Sequence, residues 1–401
     1  MANTLKFGGG QWATKEGSTL AYNDENGNFK PLPFDFSRST TATRVNKNGL
    51  IELVGSNEPR IDFKDDANGA LLLEPQRTNL IPYSSEINDT IWTDNFGGTG
   101  FEPVMNSSTE LAKDGTFSAC EWVFNTGSGT TSSDQSSIFY NSTPTSVGVT
   151  YSFSVWVYSS LNNVEIQLRG AGSVYEKFTL TIGWNKITRI AEATSTSTIP
   201  IIGLRQSVNG TVNSNITVTL WGAQLEQGYA TSYIPTNGSA VTRVAESCNG
   251  AGNEQVFNDS EGVLYVETKG FTDITPISKY IQLSKNGESI FNNSLVLQHR
   301  DNGSLRVYVN GTATANILFN ENIDFSQNHK IAVLYKLNGY KLFIDGVEKN
   351  LSGTPVQTVF SGLNDFSFDN RGSNGWNGNI KEVKIYNTAL TDTELQQLTT
   401  I

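Results

Sequence analysis

"KIAVLYKLNGYKLFIDG" runs from residue 330 to residue 346 and reads as a β-hairpin. Two apolar, β-branched and aromatic-rich runs flank Asn338-Gly339, and Asn-Gly supplies the positive φ angles of a type I′ turn. The same grammar continues outward from it. "GVLYVETKG" (262–270), "SLRVYVNG" (304–311), "TYSFSVWVYSS" (150–160), "NVEIQLRG" (163–170) and "NITVTLWGAQLE" (215–226) are strand-like runs separated by Gly, Asn and Asp. Helix is nearly absent. "TDTELQQLT" (391–399) is the exception, with Thr391 and Glu394 at capping-box spacing and Leu395 and Leu398 on one face. The fold class is therefore all-β.

Bulk composition agrees and narrows the function classes. Of 401 residues only 37% are apolar and 17% charged, while glycine occurs 37 times, the balance of a chain with many short strands and tight turns. Aromatics make up 10%, too many for a disordered chain. A net charge of −11 without any basic cluster argues against nucleic-acid partners. No apolar run approaches the ~20 residues that cross a bilayer, so no membrane insertion is expected. "MANTLKFGGGQW" has neither the charged nor the apolar region of a secretory signal peptide, so synthesis and folding in the cytoplasm are expected. On that ground the two cysteines, Cys120 and Cys248, are expected as thiols. The two histidines, His299 and His329, stand in no metal-binding or nucleophile motif, and His299, beside a turn, is expected to be exposed.

Three regions separate along the chain. Residues 1–85 are irregular, with clustered Pro, Arg and Asn, and read as an assembly or attachment segment. Residues 86–245 and 262–401 each have the length of a two-sheet jelly roll, joined by a Gly/Asn/Ser-rich linker, 246–261. The expected architecture is two tandem jelly-roll β-sandwiches behind an extended N-terminal segment, with one short C-terminal helix. "STTATRVNKNG" (39–49) echoes "GSAVTRVAESCNG" (238–250). Either the echo is chance in a Thr-rich chain, or both segments join one module to the next in the same way.

The C-terminal region resembles the laminin-G-like, concanavalin-A-like jelly roll. The matching residues are His329, Tyr335, Leu342, Asp345, Gly346, Gly378, Ile380, Glu382, Val383, Ile385, Tyr386, Asn387, Ala389 and Leu390, while Lys381 and Asn328 depart from the pattern. The resemblance implies that His329 is a packing and hydrogen-bonding residue of its strand. Residues 34–246 resemble carbohydrate-binding-module-like jelly rolls of bacteriophage virion proteins and the segments preceding them. Arg38, Thr43, Arg44, Val45, Gly49, Leu50, Pro59, Arg60, Leu73, Glu74, Arg77, Thr78, Asn79, Trp92 and Trp221 carry that likeness. It implies a structural protein of tail-fibre, head-fibre or decoration type, located in the virion.

Period-2 reading of the first strand set places Trp156, Tyr158, Glu165, Gln167, Arg169 and Trp221 on polar faces. Flat rings beside amides, carboxylates and a guanidinium suit sugars, so these are the candidate glycan-binding residues. The competing reading has that face covered by a neighbouring subunit or by the N-terminal segment. Phe34, Phe36, Arg38, Arg44, Arg60 and Arg77 are the candidate assembly residues, because the segment holding them is too irregular for a core of its own. Asp369, Asn370 and Asn374, with Asn377, form a Gly-rich loop of hard oxygen donors and are the candidate calcium site. Apart from that ion no cofactor is expected, and no catalytic residue is assigned, since the paired-acid string Glu-x-Asp-x-x-Glu of related glycosidases does not occur. The expected function is non-enzymatic: a homotrimeric fibre or appendage subunit that adheres to host-surface polysaccharide and contacts other virion proteins. A decoration protein binding only virion partners and a glycan depolymerase are the alternatives.

Overall fold

The computed structural model describes residues 5–15, 19–21, 34–88, 90–207, 213–270, 278–286, 292–310, 315–337, 339–352, 360–369 and 374–401. It is all-β with one short C-terminal helix, and it divides into two compact units. One, here the inserted unit, comprises 48–52 and 77–243; the other, the split unit, comprises 1–47, 53–76 and 244–401.

The inserted unit is a sandwich of two antiparallel sheets. One orders the strands Val104–Ser107, Cys120–Asn125, Asn215–Gln227, Thr150–Ser159 and Gly183–Glu192. The other orders Thr93–Gly97, Gln135–Phe139, Ile201–Arg205, Val164–Arg169 and Glu176–Leu180. Val155, Val157, Ile166, Leu168, Val218 and Leu220 meet in one core. In the longest strand the inward residues are Val218 and Leu220, then Ala223 and Leu225. The phase slips by one residue at Gly222, whose φ is +69°, and the pairing with Thr150–Ser159 shifts register between Ser154 and Trp156. This β-bulge lets Trp221 face outward on one side of the slip and Gln224 and Glu226 on the other. Arg77–Asn79 and Val241–Arg243 pair with each other and close the unit where the chain comes in and leaves.

The split unit is also a sandwich. Its larger sheet runs Val347–Lys349, Lys341–Ile344, His329–Lys336, Glu261–Gly270, Gly378–Tyr386, Ala70–Leu73 and Ile61–Asp62, with Leu5–Gly8 also paired to Gly378–Tyr386. The smaller sheet orders Ala315–Asn322, Ser304–Asn310, Ser294–His299, Lys279–Ser284 and Asp365–Ser367. Both faces of the larger sheet are buried. Leu264 and Val266 enter the main core, while Val263 and Tyr265 pack with Leu390 and Leu395 of the C-terminal segment. That explains an apolar run without clean alternation. The helix Asp392–Thr399 carries the expected capping box, with Thr391 and Glu394 each bonding the other's backbone N–H. Asp345 and Gly346 form a two-residue hairpin turn, both at positive φ. Asn338 of the neighbouring turn lies outside the described residues, but the antiparallel pairing on either side of it is as predicted.

The domain boundaries need correction. Residues 1–85 are not a separate extended segment. Phe7, Phe34 and Phe36 are core residues of the split unit, and Phe34 stacks on Phe368 at 5.5 Å between ring centroids. Residues 246–261 are not a linker either: Ser247–Asn249 pairs with Phe34–Ser37, and Ala251, Val256 and Phe257 are buried. Gly, Asn and Ser here punctuate strand ends and turns. Both Thr-Arg-Val segments sit where the chain passes from one unit to the other, near residues 47–48 and 243–244, which favours joining over chance.

Candidate functional site

The predicted glycan-binding residues do not come together. Trp156, Tyr158 and Trp221 belong to one sheet of the inserted unit, Glu165, Gln167 and Arg169 to the other. Their strand neighbours on both sheets point into the shared core, so the two sets face away from each other.

The first set is covered by its own unit. Trp221 is fully buried, 4.5 Å from the Tyr233 ring, and donates to Ser118 Oγ at 2.9 Å. Gln224 Oε1 accepts the Ile234 N–H at 2.7 Å, and Glu226 accepts the Thr231 N–H at 3.0 Å. Burial pushes the Glu226 carboxyl up, against the pull of the Thr231 hydrogen bonds and of Lys186 and Arg243. The strand's outward face therefore hydrogen-bonds to the segment that follows it. The 108–118 loop covers the rest: Lys113 Nζ lies 5.3 Å from the Trp156 ring, and Trp184, which packs on Tyr158, donates to the Leu111 carbonyl. Burial, with Glu110 alongside, raises the Tyr158 hydroxyl.

In the second set, Glu165 pairs with Lys177 at 2.8 Å. Gln167 is buried, its Oε1 accepting the Arg205 N–H. Arg169 alone reaches an open pocket, of about 210 Å³. Ser142, Thr145, Ser173, Thr194 and Ser197 contribute to its walls, and no carboxylate does. Thr145 Oγ1 donates to the Ser195 carbonyl and Thr198 Oγ1 to that of Gly170, which fixes the floor. Gly172, at φ +77°, turns the chain along the rim, where a Cβ would meet the Glu192 carbonyl at 3.2 Å. The Arg169 guanidinium sits 5.7 Å from the ring of buried Tyr175, and that of Arg205 sits 5.4 Å from it. Sequence reasoning found Arg169 but missed its hydroxyl walls, which come from the Ser/Thr-rich runs "NSTPTS" and "EATSTST".

The candidate assembly residues are interior. Phe34, Phe36, Arg38 and Arg60 are buried inside the split unit. Arg38 Nη1 meets Glu246 Oε1 at 3.1 Å, and Arg60 pairs with both Glu246 and, at 2.9 Å, Glu74. Two guanidinium groups and two carboxylates thus neutralise one another, and the carboxylates raise the Arg60 pKa despite its burial. Arg38 and Arg60 are thus spent on this internal network and not on a docking surface. Arg44 is half-buried, and half-buried Arg77 in the inserted unit stacks on Tyr229 at 4.6 Å.

Of the candidate calcium residues that are described, Asp369 and Asn377 are buried and Asn374 is half-buried. Asp369 is buried, its Oδ2 accepting from Ser247 Oγ and Asn249 Nδ2 at 2.9 and 3.0 Å. Asn374 occupies a positive-φ turn position, Asn377 is buried, and Asn370 lies outside the described residues. Asp369 Oδ1 is buried without a hydrogen-bond partner, and the side chain is not displayed on the rim. His329 behaves as expected, bonding Asp345 Oδ2 through Nδ1 at 2.6 Å, so two residues of the recognised motif hold each other. His299 is not exposed but buried against Phe325 and Trp376, and burial lowers its pKa to about 4. Neither cysteine is in a disulfide.

Residues 268–396 match the profile of the concanavalin A-like lectin/glucanases superfamily. Several solved structures are similar to part of the chain. The CBM40 domain of the Ruminococcus gnavus IT-sialidase, bound to α2,3 sialyllactose, is 15% identical, with 37% of this chain and 86% of that one covered and a TM-score of 0.31. Domain 4 of an extracellular arabinanase from Geobacillus stearothermophilus, in complex with arabinotriose, is 18% identical over 43% and 82%, with a TM-score of 0.28. The botulinum neurotoxin serotype G binding domain is 15% identical over 38% and 39%, with a TM-score of 0.31. No curated protein matches the chain in sequence.

Proposed function

We propose that this chain is a non-enzymatic, carbohydrate-binding structural protein whose inserted unit holds sugar in the Arg169 pocket. The observation that carries the proposal is that pocket's chemistry: hydroxyl walls and a guanidinium, with no carboxylate in the lining. Sugars need paired donors and acceptors on a concave surface. Glycoside hydrolysis needs two carboxylates flanking the bond, so this pocket suits holding and not cutting. The reading requires no cofactor.

The resemblance of residues 34–246 to phage virion modules adds the setting: a fibre or appendage displayed on a virion, in contact with host-surface polysaccharide. One shallow pocket binds weakly, and three copies in a homotrimer would gain through avidity. Because Phe34, Phe36, Arg38 and Arg60 lie inside the protein, the copies would associate through other surfaces. The test is direct. Titration of the full chain with host-surface oligosaccharides, followed by NMR, should shift resonances around residues 142–145, 169–173 and 193–199, with no reducing ends released. Sedimentation should give a trimer mass. Shifts elsewhere only, or new reducing ends, would overturn the binding proposal, and a monomer mass would overturn the trimer.

A further inference from the structure

The Arg169 side chain differs from Arg38, Arg60, Arg189 and Arg205 in its partners. Arg38 and Arg60 have carboxylates, Arg189 has Glu176 at 3.2 Å, and Arg205 donates to the Ser132 carbonyl at 2.7 Å. Arg169 has no oxygen acceptor among the described residues; its one recorded partner is the Tyr175 ring. Its Nε–H is buried without a hydrogen-bond partner. The Nε of Arg189 is unmet too, so what distinguishes Arg169 is that its outer guanidinium nitrogens also have no acceptor among the described residues, as expected where a ligand binds. Nearby carboxylates are engaged by other cations: Glu165 by Lys177 and Glu176 by Arg189. Arg169 and Arg205, both beside the Tyr175 ring, thus carry positive charge that no carboxylate pair among the described residues neutralises, on a chain of net charge −11. The two Nη groups of an arginine held against a ring are shaped for two parallel hydrogen bonds to one carboxylate.

We propose that the pocket selects a carboxylate-bearing sugar, a hexuronic acid unit of an acidic polysaccharide. The carboxylate takes the two outer Nη groups of Arg169, while the buried Nε–H stays behind them. The hydroxyls of Ser173, Thr194, Ser195 and Ser197, all exposed on the pocket side, meet the sugar's own hydroxyls. The volume of about 210 Å³ admits one ring, smaller than the ~300–1,000 Å³ of drug-sized sites. The overall negative charge disfavours densely sulfated chains, so the pocket reads a single carboxylate within a hydroxyl frame.

This inference rests on the reading that the pocket binds sugar, and one experiment separates the two. The full-length protein, labelled with ¹⁵N, is titrated with glucuronate, galacturonate and mannuronate and with the parent hexoses glucose, galactose and mannose. The side-chain Nε–H signal of Arg169 is followed. At least one hexuronate should move that signal and bind about ten-fold or more tightly than its parent hexose, the factor expected of a charge-assisted pair. Arg169→Gln should erase the preference, and Arg169→Lys, which keeps charge but not the fork, should reduce it; thermal unfolding confirms that both variants fold. Equal binding of acid and hexose, with the pocket signals shifting, overturns the carboxylate selection and leaves sugar binding standing. No shift with any of the six sugars overturns both.

Discussion

The inserted unit draws nearly all its strands from one continuous run, 77–243, and its own entry and exit strands close it. The split unit gathers Leu5–Gly8, Phe34–Ser37 and Ala70–Leu73 from before that run and lays them on strands that follow it. Leu5 pairs with Ile385. Two sandwiches of one class are thus built from local and from remote segments respectively. Remote pairing costs more loop-closure entropy and is slow to form. The difference shows in how each holds itself together. The split unit has a desolvated four-member ion network binding its early and late segments, whereas the inserted unit relies on a bulge that folds its last strand under its own exit segment.

The largest test of this contrast is Phe34→Ala. Removing a buried ring from the split core should cost about 3–5 kcal/mol. Calorimetry should show one transition lowered and that of the inserted unit unchanged; an unaffected protein would mean the early strands do not belong to that core. Glu246→Ala should also cost the split unit about 3–5 kcal/mol, because Arg38 and Arg60 then lose a buried partner. His299 sharpens the contrast by pH. Its folded pKa of about 4 lies below the unfolded value near 6.5, so the unfolded chain takes up the proton first. The stability is whole above pH 6.5, falls as pH drops toward 4, and amounts to about 3 kcal/mol. Urea unfolding across that window should show the loss, and His299→Gln should flatten it. Gly222→Val places a β-branched residue at φ +69°, with Cβ 3.0 Å from the Trp156 ring. It should destabilise only the inserted unit, by about 1–3 kcal/mol. The smallest effect concerns the thiols. Half-buried Cys120 should react with a thiol reagent in the native protein, and Cys248, whose thiol burial pushes well up, only on unfolding.

What the sequence disclosed was local. The Asp345-Gly346 turn and the Thr391 capping box are written within a few residues, and both formed as read. The rings that pack on Phe34 from the other side, Phe366 and Phe368, lie more than three hundred residues away, and nothing in an alternating "FDFS" names them. The bulge did leave a trace: in "VTLWGAQLE" the apolar spacing changes at Gly222, from Val218 and Leu220 to Ala223 and Leu225. A strict period-2 reading passed over it. The same reading identified outward residues correctly on each strand but had no means of assigning the strands to opposite sheets. Hence Trp156 and Arg169 were grouped although they face apart.

The insertion has a mechanical consequence. Tension applied between Leu5 and Ile401 passes through the split unit, because the strand beginning at Leu5 is laced directly to Gly378–Tyr386. The run 77–243 leaves and rejoins that path beside Glu74 and Glu246, which Arg60 bridges, so tension would be carried across the bridge before it enters that run.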